Sequence, residues 1–90
     1  MVKQSITVED LRKLRIDLSY KLNTALANLK WDRMKLAEQY GLHMQNSEYS
    51  KGRISQLIRV NKGEEENSQK LLDWMLEKIE EQKNMESRQW

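Results

Sequence analysis

Lys51, Arg53, Gln56 and Arg59, in the stretch Ser50 to Val60, are the side chains of this sequence whose types and spacing suit chemistry beyond packing. That chemistry is recognition. A guanidinium fork donates two parallel hydrogen bonds and a carboxamide donates and accepts side by side, which matches the base edges exposed in a DNA major groove. Lys and Arg also neutralise phosphates. Read as a helix, the same stretch puts Ile54, Leu57 and Ile58 on one face at i, i+3 and i+4, while the polar residues point elsewhere. A helix of this kind docks one face inward and reads with the other, so a DNA-recognition helix is the first expectation.

Other chemistries find little support. There is no cysteine, hence no disulfide framework and no thiolate metal site. His43 is a lone histidine, read as lying in a polar loop without a second ligand or a nearby nucleophile. Glu64, Glu65 and Glu66 are consecutive, and consecutive positions diverge around a helix, so they are expected to form a solvated helix start. No glycine-rich phosphate loop and no Ser/His/Asp set occurs. The expectation is a chain that is not an enzyme, needs no cofactor or metal, and has no small-molecule substrate.

Charge is placed unevenly. Residues 1–63 carry twelve Lys/Arg against six Asp/Glu, a charge of +6, and residues 64–90 carry four against eight, a charge of −4, for the net +2. A basic body with an acidic end suits a polyanion-facing surface and a segment that faces away. No apolar run approaches the roughly 18 residues of a membrane span, and no signal-type apolar segment opens the sequence. No membrane association is expected. The expected location is intracellular: cytoplasmic, at the nucleoid, for a bacterial or phage protein, and nuclear for a eukaryotic one.

The elements that must position the reading helix are helical too. Proline is absent, glycine occurs three times, and good helix formers dominate the 90 residues, which are enough for one domain. The fold class expected is all-α, a single small bundle of four to five helices containing a helix-turn-helix, with residues 1–6 a flexible arm and 84–90 a flexible tail. Thr7 and Asp10 resemble a capping box, with Ser5 a rival cap. Leu11, Leu14, Leu18, Leu22, Ala25, Leu26 and Leu29 then form a stripe, read as one continuous helix over 8–29 in preference to two with a break near 17–19. Asp32 caps a second helix, Arg33 to Tyr40, with Trp31 stapling its entry. Met34, Leu36, Ala37 and Tyr40 are its inward candidates, and Gly41 is its αL cap. Residues 42–49 read as an irregular connection, and Ser50 caps the helix running to Val60. A last helix over about 67–82 carries Leu71, Leu72, Met75, Leu76 and Ile79, with Trp74 at its edge. Trp90 has no predicted partner.

Leu36-Ala37, Gly41, Ser50 and Ile54-Ser55 stand where the λ-repressor-like helix-turn-helix domains carry the same residue types, and residues 18–80 resemble that family. The long connection after the second helix is more similar to the POU-specific and CUT branches, and Val60 stands where a glycine usually ends the third helix. The resemblance implies phosphate contacts at Arg33 and Lys35, with Lys51, Gly52, Arg53 and Gln56 reading bases. Ser50, Ser55, Arg59 and Lys62, flanking the reading face, are assigned to phosphates as well. It further implies a sequence-specific transcriptional regulator of double-stranded DNA, of the repressor or phage and plasmid control type. One such module binds weakly at physiological salt, so a homodimer is expected. Its contact surface would come from the first helix or from the C-terminal helix and tail. The rival reading is a helical protein-interaction module, an adaptor or inhibitor, without DNA binding.

Overall fold

The computed structural model describes residues 7–88, with side chains through Met85. Its first element opens on the expected capping box: Thr7 Oγ1 accepts from the Asp10 amide at 3.0 Å, and the Asp10 carboxylate accepts from the Thr7 amide at 3.3 Å. From there α1 runs unbroken over Val8–Leu29, α2 over Arg33–Met44, α3 over Lys51–Arg59 and α4 over Glu65–Arg88. The chain is all-α, with no strand among the described residues. Residues 1–6, with the rival cap Ser5, and Trp90 lie outside the described residues. No described helix is long and apolar enough to cross a membrane.

α1 and α4 lie side by side and run in the same direction. Arg15 meets Glu65 at 3.1 Å near their starts, Ala25 lines a groove with Leu72 and Leu76 midway, and Asn28 lines another with Ile79 and Lys83. α3 packs on both helices, and α2 packs on α3. The core is Leu18, Leu22, Ala25 and Leu29 from α1, Leu36, Ala37 and Tyr40 from α2, Ile54, Leu57, Ile58 and Val60 from α3 and its end, and Leu71, Leu72, Trp74 and Met75 from α4. α3 has nine residues, too few to hold a helix alone in water, so this burial is what keeps it folded.

Several sequence expectations need correction. Gly41 does not end α2, which continues three residues to Met44, with Gln45 as the left-handed residue at φ 54°. The Asn46 amide donates to the Gly41 carbonyl at 2.9 Å and the Gln45 amide to that of Leu42 at 3.2 Å, which is a Schellman closure. Gly41 is needed for another reason: a Cβ there would stand 3.1 Å from the Asn46 carbonyl oxygen, because the connection folds back across the helix. That connection is shortened to residues 45–50, and His43 sits in the last turn of α2, stacked on Tyr40. Met34 is 66 % exposed, and Leu14 and Leu76 also face solvent. Trp74 is 6 % exposed, held between Tyr40 at 5.2 Å and Trp31 at 6.0 Å between ring centroids. α4 starts two residues earlier and ends six later than the apolar stripe implies, because stripes mark only the part of a helix that has a neighbour.

Three helices end on non-glycine residues in the left-handed region: Lys30, Gln45 and Val60. An L side chain there costs about 1–2 kcal/mol. Gln45 is exposed, whereas Val60 is buried and earns its place by packing. Gln45→Gly is therefore expected to raise stability by up to about 1 kcal/mol in urea unfolding, the strain relieved being partly offset by glycine's freedom in the unfolded chain. Val60→Gly is expected to lower stability, since the buried valine contributes about 1.5–3 kcal/mol. A rise in both would show that strain alone governs these ends, and a fall in Gln45→Gly would show that Gln45 carries no strain to relieve.

Candidate nucleic-acid interface

The orientation of α3 follows from its own sequence. Ser50 Oγ accepts from the Arg53 amide at 3.1 Å and starts the helix. Ile54, Leu57 and Ile58 are then fully buried, which turns Gly52, Gln56 and Arg59 outward at i, i+4 and i+7. These three form one exposed stripe, with Lys51 exposed at its head and Lys62 exposed beyond its end. From Ser50 to Gly63 the chain holds four basic side chains and no acidic one.

The two flanks of the stripe are fixed by side-chain bonds. On one side Arg33, at the start of α2, donates to Ser55 Oγ at 3.1 Å, and Ser55 is buried. The start of α2 is thus tied to the middle of α3, with Lys35 exposed beside it and Asp32 capping at 2.7 Å from the Lys35 amide. Ser55 is occupied by that bond. On the other side Arg53 pairs with Glu64 and also reaches Gln56 Oε1 at 3.3 Å. Glu64 accepts in addition from Asn67 Nδ2 at 2.9 Å. Arg53 lines a shallow pocket with Asn46, Glu48 and Tyr49 at the rim of the stripe.

The expected positions therefore divide. Lys51, Gly52, Gln56, Arg59, Lys35, Lys62 and Ser50 are exposed along or around one surface; Arg33 and Arg53 are half-buried and engaged; Ser55 is buried beneath. The acidic run at 64–66 is not simply solvated. Glu64 holds Arg53, and Glu65 Oε2 accepts from Arg15 at 3.1 Å and from the Gly63 amide at 3.2 Å, while Glu66 is exposed and pairs one turn on with Lys70 at 3.6 Å. The sequence signal for these pairs was present in the sign change at residue 64, where a basic helix is followed after a short turn by three acids.

The Arg53 hydrogen bond, with that of Asn67, holds the Glu64 carboxyl below the usual carboxylate range. The hydrogen bond of Glu65 to its own amide, followed by that from Arg15, does the same for Glu65. Among the described residues no three His, Asp or Glu side chains come together as metal ligands. No family model matches the chain, and comparison with curated proteins and with solved structures finds no match.

A carboxyl with a depressed folded-state pKa binds fewer protons than in the unfolded chain. Its stabilisation is present above the unfolded value near pH 4.3 and is lost as pH falls through the lower folded value. Glu64→Gln is expected to lower stability at pH 7 and to flatten the loss of stability that the parent protein shows below about pH 4.5. Urea titrations at pH 7 and pH 3 measure both. Parallel pH profiles for parent and variant would show that the Arg53–Glu64 pair contributes nothing.

Proposed function

We propose that this protein binds double-stranded DNA through the exposed stripe of α3, as a sequence-specific regulator with a helix-turn-helix made by α2 and α3. The observation that carries the reading is that stripe: Gly52, Gln56 and Arg59 in a row, without an acid, backed by a helix buried on its other side. Gln56 is the one carboxamide on it, suited to the N6 and N7 of adenine, while Lys51, Arg59 and Lys62 supply charge for phosphates. Arg33 and Lys35 stand beside it at the start of α2, where backbone amides and a positive helix end favour a phosphate.

Gly52 adds a second kind of support. Glycine inside a helix costs up to about 1 kcal/mol relative to alanine. Nothing in the fold requires it, since a Cβ there would meet only Ser50 Oγ at 3.8 Å and Gly52 has no left-handed backbone. A residue that weakens its helix without a structural reason fits a surface where another molecule's atoms approach the backbone.

Arg53 enters as a base contact only in part. Its charge is matched by Glu64, which reduces what it offers a polyanion, but its half-exposed guanidinium retains donors toward the stripe. Two copies of the chain would read half-sites about one helical turn apart, and the exposed apolar residues Val8 and Tyr20 on α1 are available for such a contact.

Two variants test the reading. Gln56→Ala is expected to weaken binding to a sequence selected from a random duplex pool by about 1–3 kcal/mol while leaving random-duplex binding unchanged. Gly52→Ala is expected to raise thermal stability slightly and weaken binding to any duplex. Failure of the parent protein to bind any duplex at about 50 mM salt would sink the proposal and favour a protein-interaction module instead.

A further inference from the structure

The stripe of α3 ends at Arg59, and there a shallow groove opens against the first half of α1, lined by Arg12, Arg15, Ile16, Ser19, Arg59 and Val60. Three guanidinium groups line it, and one carboxylate answers them: Glu65, which pairs with Arg15 at 3.1 Å. Among the described residues Arg12 and Arg59 have no carboxylate within salt-bridge reach, although Glu9 lies one turn before Arg12. Like charges gathered on one groove repel, and the arrangement becomes favourable once an anion with several acceptor oxygens sits among them.

A purely structural role for these arginines is poorly supported. Cations often gather at a helix C-terminus to satisfy its last carbonyls. At the end of α3 two of those carbonyls are taken by other donors, that of Gln56 by the Asn61 amide at 3.2 Å and that of Leu57 by the Val60 amide at 3.1 Å and Ser68 Oγ at 2.7 Å. Among the described residues the arginine side chains that donate hydrogen bonds are Arg15, Arg33 and Arg53, not Arg12 or Arg59. The guanidinium groups of Arg12 and Arg59 are left for something outside the chain, and the half-buried Ser19 adds a hydroxyl donor. Guanidinium is the side-chain group best matched to phosphate oxygens.

We propose that the groove between α1 and the C-terminal end of α3 holds a phosphate group of the bound duplex, gripped by Arg12 and Arg59 beside Ser19, with Arg15 positioned by Glu65. This rests on the DNA reading above, because the duplex lying on α3 supplies the phosphate. From Gly52 to Arg59 the stripe advances about 10 Å at 1.5 Å per residue, or about three base pairs. A helix that reads bases near Gly52 therefore reaches a sugar-phosphate strand near Arg59, and α1 adds its arginine to that strand from outside the helix pair. α1 becomes part of the binding surface as well as of the core.

The salt dependence of duplex binding tests this with the full chain. Arg12→Gln is expected to make the slope of log affinity against log salt shallower by about 0.9, the contribution of one phosphate, without altering base preference in a random-pool selection. Arg59→Gln is expected to do the same, while Lys70→Gln, on the exposed side of α4, leaves the slope as it is. Arg12 is exposed on α1, so folding of the variant is expected to match the parent by circular dichroism. An unchanged slope in Arg12→Gln, with parent binding intact, overturns the groove assignment alone, as does an equal change in Lys70→Gln, which would make the effect one of net charge. Absence of parent binding to any duplex overturns the DNA reading and the groove assignment together. A second arm titrates inorganic phosphate against the Arg12 and Arg59 Nε resonances without DNA. Saturable shifts at low millimolar phosphate, combined with an unchanged Arg12→Gln slope, would assign the groove to a free anion and overturn the duplex as its source.

Discussion

Burial of one face of α3 is the constraint on which the rest of this structure depends. Ile54, Leu57 and Ile58 are withdrawn from water against α1 and α4, each contributing about 1.5–3 kcal/mol, and no shorter-range interaction in a nine-residue helix approaches that total. Once that face is inside, helical geometry leaves no choice about what lies outside. Gly52, Gln56 and Arg59 form the exposed stripe because they are the residues opposite the buried ones. The exposed surface that we propose for DNA is a by-product of the packing that stabilises the helix.

Polar ties then remove the remaining freedom of α3. Ser68, fully buried on α4, donates to the Leu57 carbonyl at 2.7 Å and pins the last turn of α3. Arg33 to Ser55 fixes α2 against its middle, and Arg53 to Glu64 joins its first turn to the start of α4. Arg15 to Glu65 brings α1 to the same turn. The aromatic group of Tyr40, Tyr49 and Trp74, with centroids 5.0–5.2 Å from Tyr40, anchors α2 and the following connection on α4. Burial also pushes the Tyr40 phenol above its ordinary range, with Tyr49 adding to the effect. A stripe held at several points along its length presents its side chains in one arrangement, which is what recognition of a rigid partner requires.

Much of this was legible in the residues. The caps Thr7, Asp32 and Ser50 could be read because capping depends on one side chain and an amide three residues on. The apolar face of α3 could be read because its period is strict. The end of α2 could not: Gly41 has the composition of a cap, but its glycine answers to the Asn46 carbonyl, a contact made by the returning connection and invisible to local pattern. Trp74 looked peripheral on the wheel of α4 alone, and is buried because α2 lies over it. The partners of Arg53 and Arg15 depend on how α4 is placed, so charge in sequence marked their region without naming the pairs. The same holds for Arg12, which meets Arg59 across a groove made by two helices far apart in the chain.

The central claim is that α3 and the start of α2 form one surface for a nucleic-acid duplex. Amide chemical-shift mapping during titration with a short duplex measures this most directly. The account predicts that shifts concentrate at residues 33–35 and 50–62, with a secondary group at Arg12 to Ser19, and that Tyr20, Thr24, Leu72 and Leu76 in the groove on α1 and α4 stay unmoved. Shifts confined to that apolar groove, or no shifts at low salt, would contradict it.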